Sequence, residues 1–520
     1  VLSHELSAGT DDAARLFRQS TNLARNIERL RIRFSALSKS SQSASTLKQS
    51  NDLASEIETL ERSQQLTQVR LAEFPQYRAV AARFLSLDEL RATMRPGEAY
   101  MRLTVIGSDI FMFYSDQTEA KTYKVPLDEN TLDRKVDTLR ASISAYENGQ
   151  YVTYPFDIEA ARALYADLFE PVSDRLAAKK HLIFEPDGAM LRLPINLLVA
   201  DDASVSRYLA ESEAPDSDPF DFSGVKWLGR NIDISTAVSA RAFADARQAP
   251  QSGASRQYLG LGKNVPVSPG SNMSGIRGGS QNMNANCQWP LSQWNSPISD
   301  RELREAQSLV GTGSSDIVTG AAFTDTAILS NDKISDYRIL HFATHGLVTA
   351  PNPSCPAKPA LLTSFGGQDS DGLLAFDEIF DLKLDADIVI LSACDTAGKA
   401  SIAATRSAGV SSGGGTALDG LVRSFIGAGG RSVLASHWPA PDDFRATERL
   451  INGFFSDGRG RSITEALRLS QLELMDDPVT SHPYYWSGFA LIGDGARPLL
   501  PGTTDTAMNN EASTTEAALK

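Results

Sequence analysis

Two short apolar runs in this chain end on side chains capable of chemistry. "YRILHFATHGLV" at 337–348 carries His341 and His345, with Gly346 directly after the second, and "DIVILSACDTAG" at 387–398 delivers Cys394. A free thiol is only a few per cent thiolate near neutral pH. An adjacent imidazole raises that fraction or takes the proton as the sulfur attacks. The acyl intermediate carries an oxyanion, which backbone N–H groups stabilise. Gly346 lets the backbone approach a substrate closely, and its N–H beside that of Cys394 makes a candidate oxyanion hole. Ser392 and Ala393 are small and leave room for a substrate. A lone Cys in "SAC" is ordinarily an inert small hydrophobe, so the pair carries the signal and neither residue does alone.

The pair needs two strands that end at one edge. In an open parallel sheet the carboxyl ends of the strands line the ligand-binding edge, and the 49 residues from His345 to Cys394 suffice for a strand–helix–strand connection. Strands are expected at 337–343, 387–393, 431–437 and 488–492, and helices near 300–309, 416–428, 443–456 and 462–475. Near-continuous apolar strands such as "IVIL" indicate an α/β fold, a mostly parallel sheet covered on both faces. Upstream, 98–116 reads as a hairpin, "KTYKVPL" as a third strand, and 131–146 and 157–178 as helices. Residues 181–199 read as a strand, a Pro-Asp-Gly turn and a second apolar run; 201–224 as an acidic, polar insertion; 257–262 as a strand; and 263–299 as a long, mobile Gly/Asn/Ser/Pro loop. Apolar steps of three and four along 11–37 and again from Leu53 predict a helical hairpin. The expected division is 1–82 helical hairpin, the end of an upstream helical-repeat region; 83–250 an N-terminal α/β half; 251–500 the catalytic half; and 501–520 a disordered polar tail.

Composition narrows the function. Among 520 residues Lys+Arg number 50 and Asp+Glu 64, a formal net charge of −14, which argues against nucleic acid or an anionic membrane as the main partner. Cys287, Cys355 and Cys394 are too few and too irregular for a disulfide framework or a zinc site, so a reducing, cytoplasmic compartment is expected. No apolar run reaches the roughly 18 residues of a membrane span, although with Val1 at the start the lack of a targeting segment carries little weight. No metal or organic cofactor is expected. "GVSSG" at 409–413 has the letters of a serine elbow but sits in a Gly/Ser-rich loop rather than between a strand and a helix. "AGKAS" lacks the residues a phosphate loop needs around its lysine.

The elements "HFATHG" and "LSACDTA", followed by "GLVRSFIGAGGRSVLASHW" and "HPYYWSGFALIGD", resemble the CHAT domain, a caspase-like group of cysteine peptidases found behind tetratricopeptide repeats. The His–Cys separation suits the caspase spacing. The resemblance runs from about 85 to 496 and takes in "FEPDGAMLRLPINLL" and "WLGRNIDISTAVS". It implies a caspase-like, mostly parallel sheet flanked by helices, with His345 and Cys394 as the dyad and His341 turned the other way or into the core. It further implies a prokaryotic regulatory protease in cell-death or defence pathways, cutting specific protein targets, with an activating partner received through the N-terminal helices. In such a fold "SHWPAPDD" walls the cleft. Ser436, His437, Trp438, Asp442 and Asp443, with Asp395 after the nucleophile, are then the expected substrate contacts. Their carboxylates would favour a Lys or Arg side chain before the cut bond; alternatively Asp442 or Asp443 caps the helix at 443–456. The Gly/Ser-rich stretch 399–416 is expected to order only with substrate or partner, as in a zymogen. The alternative reading is an interaction scaffold that binds an extended peptide without cutting it.

Overall fold

The computed structural model describes residues 85–147, 150–267, 289, 291–347, 359–366, 370–394, 417–438, 440–441 and 443–501, with scattered positions between 23 and 67. The hairpin expected over 1–82 therefore lies largely outside the described residues, as do 399–416, Asp395, Asp442, Cys287, Cys355 and the tail beyond Pro501.

In chain order the strands are β1 (Glu98–Ile106), β2 (Asp109–Ser115), β3 (Ala120–Asp128), the small ribbon β4 (Ala145–Glu147) and β5 (Gln150–Val152), β6 (His181–Glu185), β7 (Asp233–Thr236) and β8 (Arg256–Gly262). They continue with β9 (Ser315–Thr319), β10 (Tyr337–Leu347), β11 (Ala360–Leu362), β12 (Leu373–Ala375), β13 (Ile388–Cys394), β14 (Ser432–Ser436) and β15 (Phe489–Gly493). All but the ribbon join one sheet, in the order β9-β8-β10-β13-β14-β15-β7-β6-β1-β2-β3, with β11 and β12 continuing from the far end of β10. The β8–β10, β10–β13 and β13–β14 pairings are parallel, as are β15–β7, β7–β6 and β6–β1. The β14–β15 pairing is antiparallel. The two halves of the sheet therefore run in opposite directions, and their carboxyl ends emerge at opposite edges. Helices cover both faces, and the α/β, mostly parallel class expected from the sequence is the one observed.

Local differences have local causes. The apolar run after the Pro-Asp-Gly turn forms short 3-10 helices, Gly188–Arg192 and Ile195–Leu197, because Pro194 cannot donate to a ladder. The acidic 201–224 stretch contains a helix, Asp202–Ser212, capped by Asp201 and packed through Val205 and Tyr208.

The chemistry-bearing strands are held by a buried polar network. Helix Arg301–Val310 turns Glu302, Leu303, Ala306 and Val310 inward, an amphipathic spacing. Glu302 Oε1 lies 2.7 Å from His341 Nε2, and its Oε2 accepts from the Ser392 hydroxyl at 3.1 Å. The Tyr258 hydroxyl sits 3.0 Å from His341 Nδ1 and is kept protonated by burial and by the charge of Glu302. One carboxylate thus ties β8, β10 and β13 together. Gly262 completes the close fit, since a Cβ there would meet the Ala343 carbonyl oxygen at 2.3 Å.

A second network stitches the halves. Glu98 of β1 meets His181 of β6 at 3.1 Å and Arg247 at 2.9 Å, while Arg247 also bonds Asp494 just beyond β15. Burial alone would raise the Glu98 carboxyl, but the hydrogen bonds from His181 and Arg247 outweigh it and hold the group at about 2.

Two outcomes follow for stability. Glu302→Ala leaves His341 Nε2 and the Ser392 hydroxyl unpaired in the core, and should lower unfolding free energy by about 3 kcal/mol, read from urea midpoints; an unchanged midpoint would remove the network from the account. The depressed Glu98 pKa contributes stability that is complete above its ordinary value of 4.5 and is lost as pH falls toward 2. Glu98→Gln should flatten the urea midpoint across that pH window, and a slope equal to wild type would show that Glu98 does not set it.

Candidate functional site

β10 and β13 pair over seven rungs, from Ile339↔Ile388 to His345↔Cys394. Neighbouring strands lie about 4.8 Å apart, so the last rung sets the His345 and Cys394 backbones side by side at the carboxyl edge. His341 is fully buried. Strand side chains repeat every two residues, so the four-residue step puts His341 and His345 on the same face. Of the two places expected for His341, the core is the one observed; it lies deeper along the same face as His345.

His345 is only partly buried, and its Nε2 lies 2.5 Å from the Ser296 carbonyl oxygen. A carbonyl can only accept, so Nε2 carries the hydrogen and Nδ1 of the neutral ring keeps a lone pair. Ser296 is placed by Trp294, which is buried against Phe365, Leu347 and Leu362 and donates from Nε1 to the Thr363 carbonyl at 2.8 Å. Asn264 Nδ2 donates to the Trp294 carbonyl at 2.9 Å. The expected 263–299 loop is therefore anchored at its end over 291–299. Sequence reasoning missed Ser296 and its anchor; the available signal was Trp289 and Trp294 within a stretch rich in Gly, Asn, Ser and Pro.

Gly346 is buried and is the rung partner of Leu361 in the short β10–β11 ladder. The other expected contacts divide. Ser436, His437 and Trp438 are 1%, 7% and 2% exposed, so they are packed and not presented to solvent. Trp438 Nε1 donates to the Tyr484 carbonyl at 3.0 Å, and the Ser436 hydroxyl donates to the Trp438 carbonyl. Burial, with the charge of Arg140, drives the His437 imidazole down to about 3. It is neutral at ordinary pH and unsuited to proton transfer there.

Asp443 is exposed. It does not cap the following helix, which starts at Ala446 from an Arg445 N-cap with no side-chain cap bond. The capping alternative is thus corrected for Asp443. Phe444 and Arg445 instead hold φ of 52° and 55°, a left-handed conformation costing about 1–2 kcal/mol per residue. Arg445 is held by an ion pair with Glu448. His482 caps a short helix through Nδ1 and bonds the Tyr154 carbonyl through Nε2, a structural role.

Among the described residues no group of three or more His, Cys, Asp or Glu could hold a metal ion, and no helix is long and apolar enough to cross a membrane.

The chain is similar to known proteins in three ways. A stretch of tetratricopeptide repeat protein 28 from Mus musculus is 29% identical over 133 residues, covering 24% of this chain and 5% of that protein. The Homo sapiens protein of that name is 27% identical over 212 residues, covering 35% and 8%. The chain thus spans under a tenth of these relatives' length. Among solved structures, the separase–securin complex of Saccharomyces cerevisiae aligns with a TM-score of 0.41 at 10% identity, over 91% of this chain and 36% of that one. The Arg-specific cysteine proteinase gingipain R aligns at 0.34 and 11% identity, over 71% and 75%. The CHAT domain family model matches residues 159–494. That is well over half of the chain, which therefore belongs to the CHAT domain family.

Proposed function

We propose that the chain is a cysteine endopeptidase that cuts specific protein targets with Cys394 as nucleophile and His345 as base and then acid. The observation that carries this reading is the shared last rung of β10 and β13, which gives the two residues one edge and one neighbourhood. The Ser296 carbonyl on Nε2 supports Nδ1 as the nitrogen that takes the thiol proton. Sulfur then bonds to the substrate carbonyl carbon, and the oxyanion is met by the N–H groups of Gly346 and Cys394. The C–N bond breaks as His345 returns the proton to the leaving amine. Water, deprotonated by His345, hydrolyses the thioester and frees the sulfur.

Basic side chains before the cut bond are proposed to meet the carboxylates of Asp395, Asp442 and Asp443. An activating protein partner is proposed to act through the N-terminal helices; the relatives' name, tetratricopeptide repeat protein, supports a helical-repeat context for this domain.

Iodoacetamide alkylation followed by mass spectrometry tests the pair directly. Cys394 should react at least about tenfold faster than Cys287 and Cys355 at neutral pH, and His345→Ala should abolish that lead. Equal rates for all three cysteines would overturn the dyad. A proteome-derived peptide library, sequenced for new termini beside Cys394→Ala, reads cleavage and the preferred residue together. The single variants should lose at least about a thousandfold in kcat/KM. Fast alkylation without cleavage favours a peptide-binding scaffold. A Lys/Arg preference retained in Asp442→Ala/Asp443→Ala would overturn the proposed role of those carboxylates.

A further inference from the structure

Beyond the carboxyl end of β14 the surface is aromatic. Phe444 is 57% exposed, and its ring lies 5.7 Å from that of Tyr485, edge to face. Tyr485 lies 6.4 Å from His482, and His482 lies 5.8 Å from Phe220. His482 is buried, whereas Tyr485 and Phe220 are half-buried. The exposed Tyr154 is fastened here by its carbonyl, which accepts from His482 Nε2 at 2.8 Å, and the exposed Val479 stands three residues before His482. Three of the seven large hydrophobic residues that stand exposed among the described ones thus gather in one neighbourhood. Scattered singly they would need no explanation; gathered, they mark an interaction surface. Because β15 runs antiparallel to β14, with Phe489 opposite Ser436, the 481–486 segment sits at the edge where β13 ends in Cys394.

The segments that supply this surface carry acid and no base. Residues 208–224 contain Glu211, Glu213, Asp216, Asp218 and Asp221 without a Lys or Arg, and neither 141–161 nor 473–487 holds one. Some of the acids in these stretches are engaged: Asp476 pairs with Arg230, Asp477 with Arg449, and Asp157 caps a helix. Asp218 and Asp221 instead accept from the N–H groups of Phe220 and Ser223, which orients them without neutralising them. Burial, then the charges of Asp218 and Asp221, raise the Tyr208 hydroxyl to about 12, and burial with Asp443 raises that of Tyr485. Both ends of the row therefore sit in a negative field. Arg445, the first base after Asp443, is already held by Glu448 and Glu305. Nucleic acid or an anionic membrane is repelled by such a field. A guanidinium is drawn to it and also stacks on aromatic faces. Since the rings come from separate segments, a partner must lie across them as a stretch of chain.

We propose that this aromatic, acidic face docks an Arg-rich extended segment of the protein substrate, remote from the bond that is cut. Its place favours the substrate as occupant. The face begins beside Asp443 and lies at the edge that bears His345 and Cys394, so one polypeptide can reach both. It is separate from the carboxylates proposed to meet the residue before the cut bond, because Tyr154, Asp218, Phe220 and Asp221 belong to the N-terminal half. That half thereby gains a task in choosing targets. The substrate as occupant rests on the peptidase reading, but the affinity of the face for a basic chain does not.

Calorimetry on the full chain carrying Cys394→Ala tests the face without proteolysis, with synthetic Arg-Ser and Lys-Ser repeat peptides as probes. The Arg-Ser peptide should bind at one site, about fivefold or more tighter than the Lys-Ser peptide, because a guanidinium stacks on rings where an ammonium stays hydrated. Phe444→Ala should weaken it about fivefold, and so should the pair Asp218→Asn/Asp221→Asn. Asparagine keeps the acceptors for the Phe220 and Ser223 N–H groups, so the loop is retained. Asp332→Asn, ahead of the amino end of β10 and so at the opposite edge, should change nothing. No binding, equal affinity for the two peptides, or an equal loss in Asp332→Asn would each overturn the face, the last by showing diffuse attraction to an acidic chain. With Cys394 in place, peptides bearing an Arg cluster remote from the cut bond should exceed matched peptides without it in kcat/KM, and Asp218→Asn/Asp221→Asn should lower that ratio about fivefold. An unchanged ratio would overturn the substrate as occupant. Cleavage of neither peptide would count against the peptidase reading and against that occupant together, while the titration decides the face by itself.

Discussion

The parallel ladder between β10 and β13 is the constraint from which the candidate site follows. Its alternation sorts Ile339, Ile388 and Ile390 into one hydrophobic core and Leu340, Phe342, Val389 and Leu391 into the other. A slip of one residue would exchange the faces and bury the wrong set on both sides. The register of His345 against Cys394 is therefore enforced by six rungs of packing upstream and needs nothing from the reactive groups themselves. Glu302 adds a polar lock to the same strands, since only one register lets its two oxygens reach His341 and Ser392 together.

The antiparallel β14–β15 pair then decides how the rest of the molecule is arranged. By reversing direction it sends the carboxyl end of β6, with Glu185, to the edge away from His345. The halves still share one sheet, and the Glu98–His181–Arg247–Asp494 network fastens them at the amino end of β1. The chain thus has one carboxyl edge that bears His345 and Cys394 and a second of different composition, joined through the β15–β7 pair.

Much of this was legible in the sequence because the relevant signals are local. "RILHFAT" and "DIVILSA" are apolar enough to read as covered parallel strands, and a reactive residue after each is visible without a fold. What escaped was either short or long-range. β7 and β9, as "DIST" and "SDIVT", are half polar and take their strand character from neighbours already in the sheet. The helix at 202–212 hides in an acidic stretch because its inward side is just Ser204, Val205 and Tyr208. Ser296 acts through its carbonyl, which no side-chain pattern announces.

The uneven pairing of the strands has a mechanical side. Parallel rungs along one pair of strands share an applied load, so a seven-rung pairing resists separation far better than a single rung. The single β15–β7 rung would carry little of a load across it, so the Glu98–His181–Arg247–Asp494 network and the core that both halves share must carry the rest. The join between the halves is in this sense made by side chains more than by the sheet, whereas β10 and β13 are held by the backbone ladder itself.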